Sequence, residues 1–118
     1  MCNLLERSGS VQSGYRPVFV ASNNLNNEHS PTINIIPITS RMSKKRLPIH
    51  VYLSRYDEYG LSRPSTMLVE QITTVPADYM AVKLGEITDD CTLSMIFDAI
   101  GIQFPIVSMF AGKSVSVA

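Results

Sequence analysis

Three side chains in the first third of the sequence could together form an anion-binding site. Arg16 lies near the start of an apolar run at residues 15–21, and Thr39 and Ser40 close a second apolar run at residues 33–38. A fixed cation beside a fixed hydroxyl can bind a phosphate group or an oxyanion. The two runs therefore end in the residue types that phosphoryl chemistry requires.

Two β-strands joined by a turn would hold these side chains in place. Val, Ile and Phe dominate both apolar runs, which is typical of strands. The segment between them, residues 22–31, consists almost wholly of turn-forming residues. Antiparallel pairing across this turn would bring the start of the first strand and the end of the second to one edge of the sheet. We therefore expect Arg16 and Thr39 to lie close together.

Such a site could cleave RNA without a metal ion or a covalent intermediate, because RNA supplies its own nucleophile in the 2′-hydroxyl. Arg16 would stabilise a pentacoordinate phosphorane or donate a proton to the leaving oxygen, and Thr39 would hold a non-bridging oxygen. Four positive side chains follow directly in residues 41–46. They could gather a phosphate backbone, although a solvated hairpin tip would have the same composition.

Composition and charge are compatible with such a partner. The chain has 118 residues, of which 45% are hydrophobic and 17% charged, which predicts one globular domain. Residues 1–63 carry eight Lys and Arg against four Asp and Glu, whereas residues 64–118 carry two against six. A neutral chain polarised in this way can present one basic face to a polyanion.

The sequence contains no pattern that indicates a metal site, a disulfide framework or a membrane segment. Its two cysteines, Cys2 and Cys91, are far apart and are most simply buried apolar residues. No stretch has a signal-peptide layout or approaches the ~20 apolar residues of a membrane span. We expect no metal, no cofactor, no membrane partner and a cytoplasmic location.

The apolar patterns in the middle of the chain predict further strands. Residues 48–54 alternate between apolar and polar positions, which predicts a half-buried strand with His50 on its polar face. His50 is either a surface residue or a general base. Residues 65–75 predict one long buried strand, in which Glu70 would need a partner. A short turn after Pro76 and a brief strand at residues 82–87 would follow.

The C-terminal part contains one predicted helix. Thr88 is its expected N-cap and Gly101 its expected end. Four apolar residues recur at helical spacing and predict a stripe that packs on the sheet: Leu93, Ile96, Phe97 and Ile100.

Four blocks of the sequence resemble the MazF/PemK family of bacterial toxin endoribonucleases. They read SGYRPVFVASNN, SPTINIIPITS, LPIHVYL and LVEQITTV, and the resemblance extends over about residues 9–102. It implies a mainly β (α+β) fold, a small SH3-like barrel of antiparallel strands with a C-terminal helix. Residues 1–104 would form the toxin domain and residues 105–118 an unassigned tail.

The resemblance also implies an activity and partners. Members are toxins of type II toxin–antitoxin systems that cleave single-stranded mRNA at specific sequences, without a metal, to 2′,3′-cyclic phosphate and 5′-OH ends. They form homodimers and are silenced by a cognate antitoxin protein. The family's catalytic arginine falls on Arg16 and its catalytic threonine on Thr39. Residues expected to contact RNA are Gln12, Asn23, Ser40, Lys44 and Lys45.

Three departures from the family pattern favour an alternative. The expected first strand is shortened to residues 2–4, which would leave an unpaired sheet edge. Thr73 stands where relatives often carry an arginine, and the tail at residues 105–118 has no counterpart. A catalytically inactive remnant that only binds antitoxin is therefore the second hypothesis. A gyrase-poisoning toxin of the same fold is a third.

Overall fold

The computed structural model describes residues 1–4, 14–23, 28–41, 47–106 and 117. Short strands dominate this part of the chain, and one α-helix, α1, follows them. Three 3₁₀ turns, at Tyr56–Tyr59, Val69–Gln71 and Ala77–Tyr79, connect some of these elements. The strands are β1 (Cys2–Leu4), β2 (Gly14–Arg16), β3 (Val18–Val20), β4 (Thr32–Thr39), β5 (His50–Leu53), β6 (Ser65–Leu68) and β7 (Thr73–Pro76), and α1 spans Asp90–Gln103.

Strand β4 is the centre of the fold. It pairs with β3 on one side and with both β6 and β7 on the other, and β5 continues the sheet beyond β6. Strands β1 and β2 form a separate two-stranded sheet, and every pairing is antiparallel. The expectation of antiparallel strands followed by a C-terminal helix is confirmed, although the described strands do not close into a complete barrel.

The apolar composition of β4 follows from its position between two cores. Ile36 and Ile38 belong to a cluster that includes Ile96 of α1. Ile33 and Ile35, on the opposite face, pack with β1 residues. Burying one such side chain contributes about 1.5–3 kcal/mol relative to leaving it exposed. A strand buried on both faces needs a continuous apolar run, which is the pattern of β4.

The long strand predicted for residues 65–75 is wrong, because a 3₁₀ turn at Val69–Gln71 divides it into β6 and β7. The break lies beside Pro37 of β4. The Ile38 N–H donates toward β3, to the Pro17 carbonyl at 3.1 Å, so by alternation position 37 would donate toward β6 and β7. Proline has no N–H to donate, and the ladder is interrupted at that point.

Two predictions for the segment before the helix are also wrong. Residues 82–87 form no strand, and the N-cap is Asp89 rather than Thr88. The Asp89 carboxylate accepts hydrogen bonds from the Thr92 N–H at 3.0 Å and from the Tyr59 hydroxyl at 2.5 Å. The tyrosine partner explains the choice of cap, since Asp89 bonds both the first turn of the helix and Tyr59 of the 3₁₀ turn at Tyr56–Tyr59.

The helix itself is confirmed, but its buried face and its end differ from the prediction. Ile96 is buried as expected, whereas Leu93 is 38% and Phe97 77% exposed. The buried positions are Thr92, Ile96 and Ala99, because the Thr92 hydroxyl lies 2.8 Å from that of Tyr59 and turns this face to the core. The helix continues past Gly101. No helix in the described ranges has the length and apolar character to cross a membrane.

Candidate active site

The register of β3 against β4 places Arg16 opposite Thr39. Val18 pairs with Pro37, and the Ile38 N–H bonds to the Pro17 carbonyl at 3.1 Å, which extends the ladder by one residue. The next pair in the same register is Arg16 and Thr39. Directly opposed residues of antiparallel strands share one face of the sheet, so this register sets an arginine and a threonine on one face at the end of β4.

Thr39 occupies a sheltered position at the end of β4. The residue is 8% exposed, and its hydroxyl oxygen accepts a hydrogen bond from the Arg41 N–H at 3.1 Å. A threonine hydroxyl has one donor and two acceptor positions. This bond uses one acceptor position, and among the described residues it leaves the hydroxyl proton for an oxygen of a bound phosphate.

Arg16 ends β2, the strand that pairs with the short first strand. Cys2, its partner in that register, is fully buried, and the Arg16 side chain is half-buried. The backbone of Arg16 is therefore anchored to β1 on one side and lies against the end of β4 on the other. This arrangement fixes the backbone of Arg16, so no further backbone entropy is lost when its side chain binds an anion.

The weaker predicted site residues are distributed differently. Ser40 is exposed and directly follows Thr39. Asn23 is also exposed but lies beyond Ala21, whose N–H bonds to Asn34 at the opposite end of β4. The structure therefore does not bring Asn23 to Arg16. The other three predicted contacts lie outside the described residues: Gln12, Lys44 and Lys45.

A second polar pair joins β5 to the 3₁₀ turn at Val69–Gln71, and the sequence indicated both of its residues but not their pairing. His50 Nε2 lies 3.0 Å from Glu70 Oε1, with the two side chains 14% and 26% exposed. Glu70 Oε2 is buried and has no hydrogen-bond partner among the described residues. The polar interruption of an apolar segment had indicated that Glu70 needs a partner, but not which one. The geometry ties His50 to this carboxylate.

The row of Arg16 and Thr39 continues across two more strands. Thr39 pairs with Thr66 of β6, and Thr66 pairs with Tyr52 of β5. Both added residues are half-buried. His50 precedes Tyr52 by two positions and so shares its face of β5. Within the described ranges, no three His, Cys, Asp or Glu side chains are close enough together to hold a metal ion.

A groove of about 680 Å³ lies apart from this row, between β3 and residues 80–88. Its lining includes neither Arg16 nor Thr39. The ammonium group of Met1 donates to the Val82 carbonyl at 2.8 Å, and burial lowers the pKa of this group. Among the described strands β3 stands at the end of its sheet, so the groove marks an open sheet edge.

Comparison with known proteins agrees with this architecture. The family model for the PemK-like, MazF-like toxin of type II toxin–antitoxin systems matches residues 1–104. An endoribonuclease MazF of Staphylococcus saprophyticus is 35% identical over 89 residues, which cover 75% of this chain and 73% of the relative.

Two solved structures share the fold. The Mycobacterium tuberculosis toxin MazF-mt6 superposes with a TM-score of 0.71 at 20% identity, over 88% of this chain and 93% of that one. An endoribonuclease from a mycobacterial species, solved in complex with its cognate antitoxin, superposes with a TM-score of 0.63 at 23% identity, over 79% of this chain and 84% of that one.

Proposed function

Because the chain belongs to the PemK-like, MazF-like toxin family of type II toxin–antitoxin systems, we propose that it is an endoribonuclease that cleaves single-stranded mRNA at specific sequences without a metal ion. The observation that carries the proposal is the register that sets Arg16 opposite Thr39 at the end of β4. We assign these two residues the catalytic roles.

In the proposed reaction the 2′-hydroxyl gives its proton to water as its oxygen attacks the adjacent phosphorus, and the bond from phosphorus to the 5′-oxygen breaks. The leaving 5′-oxygen takes a proton from water, so the products are a 2′,3′-cyclic phosphate and a 5′-hydroxyl. The hydroxyl of Thr39 donates to a non-bridging oxygen. The guanidinium of Arg16 stabilises the charge of the pentacoordinate phosphorane. Because a guanidinium presents several N–H donors in one plane to the phosphate oxygens, we assign Arg16 this role rather than that of a general acid.

The loops beside these residues would contact the RNA on either side of the cleaved bond. Ser40 directly follows Thr39 and is exposed. Basic side chains in residues 41–46 would neutralise phosphates and make binding weaken as salt rises. We therefore keep Lys44, Lys45 and Gln12 as proposed RNA contacts beside the cleaved bond. Asn23 lies toward the other end of β4, so we propose for it a contact with a more distant part of the RNA.

The proposed partners are a cognate antitoxin and a second copy of the chain. The mycobacterial relative was solved with its own antitoxin, which supports the first. Several large apolar side chains of α1 are exposed, with Phe97 at 77%, and they support the second, because exposed apolar patches mark protein–protein interaction sites. We propose the cytoplasm, where mRNA is available, as the site of action, and residues 1–104 as the toxin domain.

A second candidate function is antitoxin binding without catalysis. Thr73 replaces a positive charge that relatives often carry. The loss of this charge would weaken RNA binding and leave the fold able to bind a protein. Tight antitoxin binding together with absent cleavage would select this alternative.

The deciding experiment incubates the purified protein with a long mixed-sequence RNA in EDTA. We expect discrete cuts with 5′-OH ends from the parent and none from Arg16→Ala. Arg55→Ala is the matched control, because Arg55 is 54% exposed and lies beside Asp89 at the start of α1. Equal cleavage by the parent and Arg16→Ala would show that the assignment of Arg16 is wrong.

A further inference from the structure

The row of side chains that begins with Arg16 and Thr39 ends in an aromatic ring. Thr66 is opposite Thr39, and Tyr52 is opposite Thr66. Since opposed residues in antiparallel strands lie on one face, Tyr52 faces the same side of the sheet as the proposed catalytic pair. Its side chain is half-buried, so part of the tyrosine remains accessible.

The spacing of the strands sets the distance between the ring and the phosphate site. Neighbouring strands lie about 4.8 Å apart, so the Cα atoms of Thr39 and Tyr52 are separated by about 10 Å across the sheet. A stacked single strand advances about 3.4 Å per nucleotide. Tyr52 therefore lies within one to three nucleotides of a phosphate held between Arg16 and Thr39.

The surroundings of Tyr52 suit a flat heteroaromatic ligand. Thr66 lies between Thr39 and Tyr52 in this row, and its short side chain leaves space for a ligand that reaches from one to the other. On the other side His50 and Glu70 are joined at 3.0 Å and form a polar border on the same face. The Tyr52 ring lies between the His50–Glu70 pair and the proposed phosphate site. This arrangement matches a nucleotide, whose base stacks on an aromatic ring while its phosphate is bound nearby.

We propose that Tyr52 forms a nucleobase-binding subsite, in which its ring stacks on the base of a nucleotide one to three positions from the cleaved phosphate. This inference rests on the proposed RNase function. It adds a residue that determines where the RNA lies relative to the reacting bond. The competing explanation is that Tyr52 is a strand-forming aromatic that only covers the sheet.

The test compares Tyr52→Phe, which keeps the aromatic ring, with Tyr52→Leu, which keeps apolar bulk without a π-face. A 5′-labelled mixed-sequence RNA serves as the probe for two measurements, the dissociation constant in EDTA and the KM and kcat of cleavage. We expect Tyr52→Phe to stay within about twofold of the parent. Loss of one stacked base in Tyr52→Leu should raise the dissociation constant and KM by about 5- to 150-fold, with a smaller change in kcat.

The outcomes separate this subsite from the proposed function. If the parent cleaves and Tyr52→Leu binds and cleaves RNA as the parent does, the subsite is wrong and the RNase assignment stands. If the parent binds RNA without cleaving it, the dissociation constants alone still test the subsite. A parent that binds no RNA overturns both. An equal loss in Tyr52→Phe and Tyr52→Leu, accompanied by a lower melting temperature, would show a structural role and overturn stacking.

Discussion

The hydroxyl of Thr39 offers the sharpest test of the proposed chemistry, through Thr39→Val. Valine has nearly the same shape as threonine, and the site is 8% exposed, so the packing at the end of β4 should be retained. The substitution removes the oxygen that accepts from the Arg41 N–H at 3.1 Å. It also removes the proton proposed to bind a phosphate oxygen.

Two magnitudes follow from these contacts. Losing one intramolecular hydrogen bond costs about 0.5–1.5 kcal/mol of folding free energy, which should lower the urea midpoint slightly without unfolding the protein. Removing one donor that stabilises a developing charge typically lowers kcat by about 10²–10³. The catalytic loss should therefore be far larger than the loss of stability can explain.

The assay measures single-turnover cleavage of a mixed-sequence RNA in EDTA, with urea unfolding measured in parallel. Thr66→Val is the matched control, because Thr66 lies opposite Thr39 in the same row of the sheet. We expect this control to cleave within about threefold of the parent, and Thr39→Ser to keep most of the activity. If Thr39→Val cleaves as fast as Thr66→Val, the proposed role of the hydroxyl is refuted.

Two further predictions concern pairs that stabilise the fold. Hydrogen bonds from Thr92 and then Tyr59 lower the pKa of Asp89 from 3.8 to about 2. A carboxyl group whose pKa is lowered in the folded state stabilises the protein above pH 3.8, and this contribution disappears as the pH falls through 2. Part of the fall in melting temperature between pH 5 and pH 2 therefore comes from Asp89. We expect this part to be absent in Asp89→Asn and present in Asp90→Asn. His50→Ala would leave the part-buried Glu70 carboxylate without its 3.0 Å partner. We therefore expect the free energy of unfolding, measured in urea, to fall by about 1–3 kcal/mol. His29→Ala removes an exposed pair and should unfold as the parent does.

Patterns within single elements predicted most of the strands and the helix. The strict alternation of residues 48–54 matches β5, where Val51 and Leu53 are buried. The continuous apolar run of residues 33–38 matches β4, which is buried on both faces. These agreements have one cause, because the period of apolar residues depends on which faces of one element are covered.

The predictions that are wrong involve contacts between distant residues. The break between β6 and β7 depends on a proline of β4, Pro37, about thirty residues earlier in the chain. The helix turned a different face to the core because Tyr59 bonds both Asp89 and Thr92. Neither pairing leaves a local pattern in the sequence.

For the candidate site, the residue types could be predicted from the sequence: an arginine and a threonine at the ends of two neighbouring strands, and a resemblance to a toxin family. The register that sets Arg16 opposite Thr39, the bond between His50 and Glu70, and the position of Tyr52 in the same row depend on tertiary contacts. Propensity acts on adjacent residues, whereas a row across a sheet depends on the alignment of four separate strands. That alignment is set by the packing of both faces of β4.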